Sequence, residues 1–131
     1  ASRALAAPER AQLAAMIQTR RWIWIAGNHD PAPTCLGGEQ RAELHLAPLT
    51  FRHIADPAAR AEVSGHYHPK ARLRSASRAC FLVDRNRLIL PAFGTYTGGL
   101  RTSNPALTAL MDADALAILT GQKPLPVPMP R

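Results

Sequence analysis

The run Trp22-Ile23-Trp24-Ile25-Ala26 ends at Gly27 and is followed at once by Asn28-His29-Asp30. Short, β-branched and aromatic, with apolar side chains on both faces, it reads as a buried strand. The segment before it, Ala7 to Arg21, predicts a helix. Pro8 suits a first-turn position, Leu13, Met16 and Ile17 recur at three- and four-residue spacing, and Arg20 and Arg21 suit a helix carboxyl end. Helix, strand, glycine and then a knot of polar side chains make an α/β unit. In open α/β sheets, ligands collect at the carboxyl ends of the strands.

The rest of the chain continues in short strands. Asp30 to Gln40, with Pro31, Pro33, Gly37 and Gly38, reads as loop, and Leu44–Leu46 and Leu49–His53 read as two strands folded at Pro48. Ala55 to Ala61 is expected to hold one helical turn started by Asp56-Pro57. Glu62-Val63-Ser64 runs into Gly65-His66-Tyr67-His68-Pro69, and Ala79–Asp84 and Leu88–Ala92 read as strands of a hairpin turning at Asp84-Arg85-Asn86-Arg87. Phe93 to Leu100 reads as loop, Ala106 to Leu119 has mixed helical character, and the Pro-rich end from Pro124 reads as an extended strand or tail.

Chemistry concentrates in two knots, Gly27-Asn28-His29-Asp30 and Gly65-His66-Tyr67-His68, each directly after a short apolar stretch. Glycine lets the backbone turn sharply and approach an ion closely. Imidazole is the commonest transition-metal ligand, and the neutral amide oxygen of Asn28 suits Mn²⁺ or Fe²⁺. Taken alone, the first knot reads more readily as a turn and the second as an incidental His pair. Two such knots at strand ends, with His29 and His66 separated by 37 positions, point to a shared site.

Here the sequence resembles a known family. Gly27-Asn28-His29-Asp30 and Gly65-His66-Tyr67-His68 look like the third and final motifs of the calcineurin-like metallophosphoesterases. Leu49-Thr50-Phe51-Arg52-His53, Ala79-Cys80-Phe81 and the stretch from Leu90 to Leu100 (L-P-A-F-G-T-Y-T-G-G-L) are similar to one bacterial branch, the ligase-associated DNA-damage-response phosphoesterases (the PdeM branch). The resemblance implies an α/β fold in which two mixed sheets pack face to face as a sandwich flanked by helices. It implies two divalent cations, Mn²⁺ first with Fe, Zn or Mg as alternatives, and makes Asn28 and His66 ligands of one ion and His68 a ligand of the other. It makes His29 the group that stabilises or protonates the leaving oxygen, oriented by Asp30. Two cations about 3.5–4 Å apart clamp a phosphate and bring the pKa of a bridging water toward neutrality. The implied reaction is hydrolysis of phosphodiesters or phosphomonoesters, on DNA in a repair setting, with a DNA ligase, a helicase and a nuclease as partners.

The family also places an Asp-x-His motif and a Gly-Asp-x-x-Asp motif upstream of the Gly-Asn-His-Asp strand. Only 26 residues precede Gly27 here, with no His and no Asp, and the first residue is Ala1, not Met. Carboxylates normally neutralise such a pair of dications. Residues 1–131 are therefore expected to be the carboxyl-terminal part of a single metallophosphoesterase domain, catalytically poor alone, with the amino-terminal half absent from the chain.

Secondary candidates have quieter readings. His53 matches a family position and reads as a structural histidine closing a strand. His45 reads as an ordinary strand side chain, Cys35 as an inert loop thiol near the site and Cys80 as core packing. Sixteen Lys and Arg against nine Asp and Glu give a formal charge of +7, which favours a polyanionic partner. The charge concentrates in Lys70, Arg72, Arg74, Arg78, Arg85 and Arg87, against Asp84 alone. The competing class is therefore a non-enzymatic basic module binding nucleic acid or protein through that segment, its metal motifs degenerate. A hydrophobic content of 47% excludes a wholly disordered chain, and no apolar run approaches the roughly 20 residues of a membrane helix. Arg3, Glu9 and Arg10 interrupt any secretory signal, and two cysteines make no disulfide scaffold, so the expected setting is a reducing cytoplasm.

Overall fold

The computed structural model describes residues 6–28, 36–73, 75–94 and 97–130. The elements in chain order are helix α1 (Ala7–Gln18), strands β1 (Ile23–Ile25), β2 (Glu39–Arg41), β3 (Glu43–Leu46), β4 (Leu49–Arg52), β5 (Glu62–Ser64), β6 (Lys70–Leu73), β7 (Ala76–Val83) and β8 (Arg87–Ile89), helix α2 (Pro105–Leu110), and strands β9 (Leu116–Leu119) and β10 (Leu125–Pro128). This is a mixed α/β architecture with few helices. One mixed sheet of eight strands runs β10-β9-β7-β8-β5-β4-β3, with β6 paired to β7, and β1 and β2 form a separate two-stranded parallel sheet.

Helix α1 starts as the sequence predicts. Pro8 lies in the first turn, and the Glu9 carboxylate accepts the Ala6 N–H at 3.0 Å, satisfying a backbone donor the helix leaves open. It stops at Gln18, three residues short of Arg21, where the Thr19 hydroxyl donates back to the carbonyls of Ala15 and Met16. None of its residues is buried. The strand after it is shorter and more open than expected, with Ile23, Trp24 and Ile25 all only half-buried. Its neighbour is β2, in parallel register Ile23↔Glu39 to Ile25↔Arg41. The end of the expected loop is thus a strand, because the free edge of β1 offers backbone partners to a segment of low intrinsic strand preference.

The core lies further along the chain. Leu82, Ile89, Leu107, Cys80 and Ala117 are fully buried, and Leu119 nearly so. In β7 and β9 the buried residues, Cys80 and Leu82 and then Ala117 and Leu119, recur every second position, as a half-buried strand requires. Burial pushes the Cys80 thiol up to about 11, in keeping with a packing role. The helical reading of 106–119 holds only for Pro105–Leu110, where the Asn104 side chain caps the Ala106 N–H; beyond it the chain turns into β9, paired antiparallel with β7 and β10. The Pro-rich end is strand β10.

No helical turn forms in 55–61. Instead the Asp56 carboxylate accepts the Ala58 N–H at 2.9 Å and closes a local turn. Buried Glu62 holds this connection from below. It sits 3.6 Å from the Arg52 guanidinium and 3.7 Å from that of Arg87, and accepts the Asp56 N–H at 2.9 Å. Arg87 donates to the carbonyls of Asp56, Pro57 and Ala59. Strands β4, β5 and β8 are mutually parallel, so their carboxyl ends open on the same side of the sheet. Among the described residues no helix is long and apolar enough to cross a membrane.

Candidate functional site

Three chain segments meet at that side. Asn28 follows β1, His53 follows β4, and Gly65-His66-Tyr67-His68 follows β5. The Gly65 N–H donates to the His53 carbonyl at 3.1 Å and fastens the ends of β4 and β5 together. Beyond it the backbone folds tightly. The Tyr67 N–H reaches the Gly65 carbonyl at 2.6 Å, and both His66 (φ 55°) and His68 (φ 47°) lie in the left-handed region. Non-glycine residues there carry strain of order 1–3 kcal/mol, of the kind that gathers at functional sites. Tyr67 packs against the hydrophobic core and anchors the loop, while His66 and His68 line the cavity.

The side chains converge on one nitrogen. His53 Nε2 lies 2.7 Å from Asn28 Oδ1 and 3.1 Å from His66 Nδ1, with the two imidazoles edge to face, 4.9 Å between centroids. His53, read from sequence as a structural residue, is thus the centre of the cluster. Two glycines make the approach possible. A Cβ at Gly27 would stand 2.8 Å from His53 Nδ1, and one at Gly99 would collide with the His68 carbonyl oxygen. Glycine in these places lets an imidazole ring lie on the 27–28 backbone and lets the 98–100 segment press against the His68 loop, where the Leu100 N–H donates to the Tyr67 carbonyl.

Asn28, His53, His66, Tyr67, His68 and the chain from Thr97 to Leu100 line a cavity of about 430 Å³. One amide oxygen and two imidazole nitrogens within hydrogen-bonding reach form a donor set able to hold one divalent transition-metal ion. Among the described residues no three His, Cys, Asp or Glu side chains come together, so an amide must serve as the third donor, and no carboxylate joins the cluster. His68 faces the same cavity without a described contact to the other three. His29, Asp30 and Cys35 lie outside the described residues. His45 is exposed on β3 and contacts the Thr50 hydroxyl at 3.1 Å, an ordinary strand pair.

The basic segment is partly consumed by structure. Arg87 is buried beneath the 56–59 turn, and Arg85 pairs with Asp112 at 2.8 Å. Arg74 lies outside the described residues. Lys70 and Arg72 lie on one face of the β6–β7 hairpin and Arg78 on the other, and Lys70 lines a second cavity that His68 also lines.

No family model matches the chain, and no curated protein matches it. Among solved structures, the crystal structure of Pseudomonas putida nuclease MPE is similar over 97% of this chain, with a TM-score of 0.72 and 27% identity. The match covers 66% of that nuclease, so the chain spans just under two thirds of its length.

Proposed function

We propose that the chain carries the metal-binding and phosphate-facing side of a metal-dependent phosphoesterase that hydrolyses nucleic acid, of the calcineurin-like kind and the ligase-associated DNA-repair branch. The observation that carries this reading is the meeting of Asn28 Oδ1, His53 Nε2 and His66 Nδ1, from three segments far apart in sequence, at the carboxyl ends of parallel strands. The fold likeness to a nuclease supports the substrate class. The donor set fits one divalent ion, Mn²⁺ by its mixed N/O character; for a second, the described residues offer His68 alone, so turnover by this chain alone is expected to be slow.

When bound, the cations polarise the phosphoryl group and supply hydroxide near neutral pH. The chain's own groups do the rest. Asn28, His53 and His66 fix position, and the strained backbone at His66 and His68 aims both imidazoles into the cavity. His29, the residue after Asn28, is proposed to give a proton to the departing oxygen, with Asp30 orienting it. DNA is the proposed substrate, in company with a ligase, a helicase and a nuclease.

Titration of the purified chain with Co²⁺, read by its visible absorption, tests the core of this reading. Saturable binding is expected, weakened by at least roughly tenfold in His53→Ala and in His66→Ala. Mn²⁺-dependent hydrolysis of bis(4-nitrophenyl) phosphate, lost in chelator and in His29→Ala, is the companion measurement. Failure of the unaltered chain to bind Co²⁺ would end the metalloenzyme reading.

A further inference from the structure

Beside the histidine cavity lies a second one of about 300 Å³, lined by His68, Lys70, Ser77, Ala79, Ala92, Gly94 and Thr97. His68 and Thr97 belong to both, so the two cavities share a wall. Half-buried Lys70 stands in the second. Its ammonium donates to the Thr97 carbonyl at 3.1 Å, which uses one of its three N–H groups and fixes the side chain. The antiparallel register pairs Lys70 with Ala79 and Arg72 with Ser77, so these four residues share one face of the hairpin, with cationic side chains leading away from His68. The rim holds a different kind of group. Phe93, between the lining residues Ala92 and Gly94, is fully exposed at 108%. It follows β8, whose carboxyl end opens on the same side as those of β4 and β5.

A fully exposed phenylalanine, next to a cationic cavity that adjoins a metal-type cluster, has the composition of a single-strand nucleic-acid subsite. Such sites combine cations that follow the backbone with an aromatic face on which a base stacks. We propose that Lys70 and Ser77 receive a backbone phosphate adjoining the scissile one, with Arg72 on the outer face, and that Phe93 stacks on the base attached to it. The inference rests on the phosphoesterase reading and adds to it where the strand runs and which residues position it. Phe93 and Lys70 are positioning residues, since neither belongs to the metal cluster.

The test is a double-mutant cycle between protein and oligonucleotide. A fluorescent single-stranded oligonucleotide and versions with an abasic nucleotide at each successive position are titrated with the chain in chelator and followed by anisotropy. Phe93→Leu, apolar but without a π-face, should weaken binding by ~5- to 150-fold, and Phe93→Tyr should restore it. One abasic position should weaken the unaltered chain by a similar factor and leave Phe93→Leu no weaker than before. Lys70→Gln should lower the magnitude of the log–log salt slope by about 0.7. Equal binding by Phe93→Leu and the unaltered chain, independent losses in the cycle, or an unchanged salt slope in Lys70→Gln would each overturn the subsite. The Co²⁺ titration separates the two readings. Metal binding without abasic coupling leaves the phosphoesterase and removes the subsite, whereas abasic coupling without metal binding removes the phosphoesterase and, with it, the placement of the subsite beside a scissile phosphate.

Discussion

The two ends of the chain use similar amounts of apolar sequence to different effect. In α1, β1 and β2 no described residue is buried, although Leu13, Met16, Ile17, Ile23, Trp24 and Ile25 all lie there. From β5 to β10, smaller side chains build a core in which Leu82, Ile89, Leu107, Cys80 and Ala117 have no exposure at all. The difference is one of partners. Strand β7 has strand neighbours on both edges, whereas β1 has β2 alone among the described residues. Apolar residues gain stability only through the area they remove from water, so β1, apolar throughout but half-buried, is locally weak. The candidate site straddles this boundary. Asn28 comes from the open region, His53 from the end of β4 between the two, and His66 and His68 from the packed one.

Truncations of equal chemistry test the comparison most severely. Leu82→Ala empties a fully enclosed space and should destabilise the chain by about 2–5 kcal/mol in urea titration. Ile25→Ala, in half-buried β1, should cost no more than about 1 kcal/mol. Equal losses would mean that β1 is packed as tightly as the core, and the contrast between the two regions would fail.

The same contrast explains what could be read from the sequence. The β3–β4 turn at Pro48 and the β7–β8 turn were legible because their signals are local: the Asp84 carboxylate accepts the N–H groups of Asn86 and Arg87, both at 2.8 Å, within three residues of itself. Strands β2 and β9 were missed because partners distant in sequence, β1 and β7, hold them, whereas β6 was missed although its partner β7 follows at once, because Lys70-Ala71-Arg72-Leu73 carries little strand preference. Leu116-Ala117-Ile118-Leu119 is built of helix-compatible residues yet lies between β7 and β10, where packing overrides preference. Asn28, His66 and His68 could be picked out because glycine precedes each knot. His53 lacked that flag, for the glycine that accommodates it is Gly27, just past β1 and far away in sequence. A histidine directly after an apolar strand end was the available signal, and alone it does not separate a ligand from a cap.

Gly27→Ala sharpens the boundary where the site crosses it. The added methyl would stand 2.8–3.1 Å from the His53 ring, which must move away from Asn28 Oδ1. Co²⁺ affinity should fall by roughly 10- to 100-fold, as when a group that orients a ligand is lost, with little change in the urea midpoint because Gly27 lies outside the core. A midpoint that falls together with the affinity would show that the ends of β1 and β4 are structurally interdependent, and the site would then belong to the packed region alone.

The smallest expected effect is electrostatic and confined to the open region. Glu39 of β2 accepts hydrogen bonds from Arg21 at 2.9 Å and Arg41 at 2.7 Å, which hold its carboxyl down at about 2 from an ordinary 4.5. A depressed carboxyl stabilises the fold fully above its unfolded pKa, and the contribution disappears as pH falls through the folded value. The β1–β2 pairing, marked by the Glu39 N–H donating to the Trp22 carbonyl at 2.9 Å, should therefore loosen between pH 4.5 and about 2. Amide exchange corrected for its intrinsic rate should show protection at Glu39 falling by less than roughly tenfold over that interval, since exposed pairs are weak and screened by salt. Amides of β9, remote from these ion pairs, serve as the reference, and Glu39→Gln should abolish the extra loss in β2. Parallel loss in β2 and β9 would assign the acid response to the whole fold, and the two regions would then unfold as one unit.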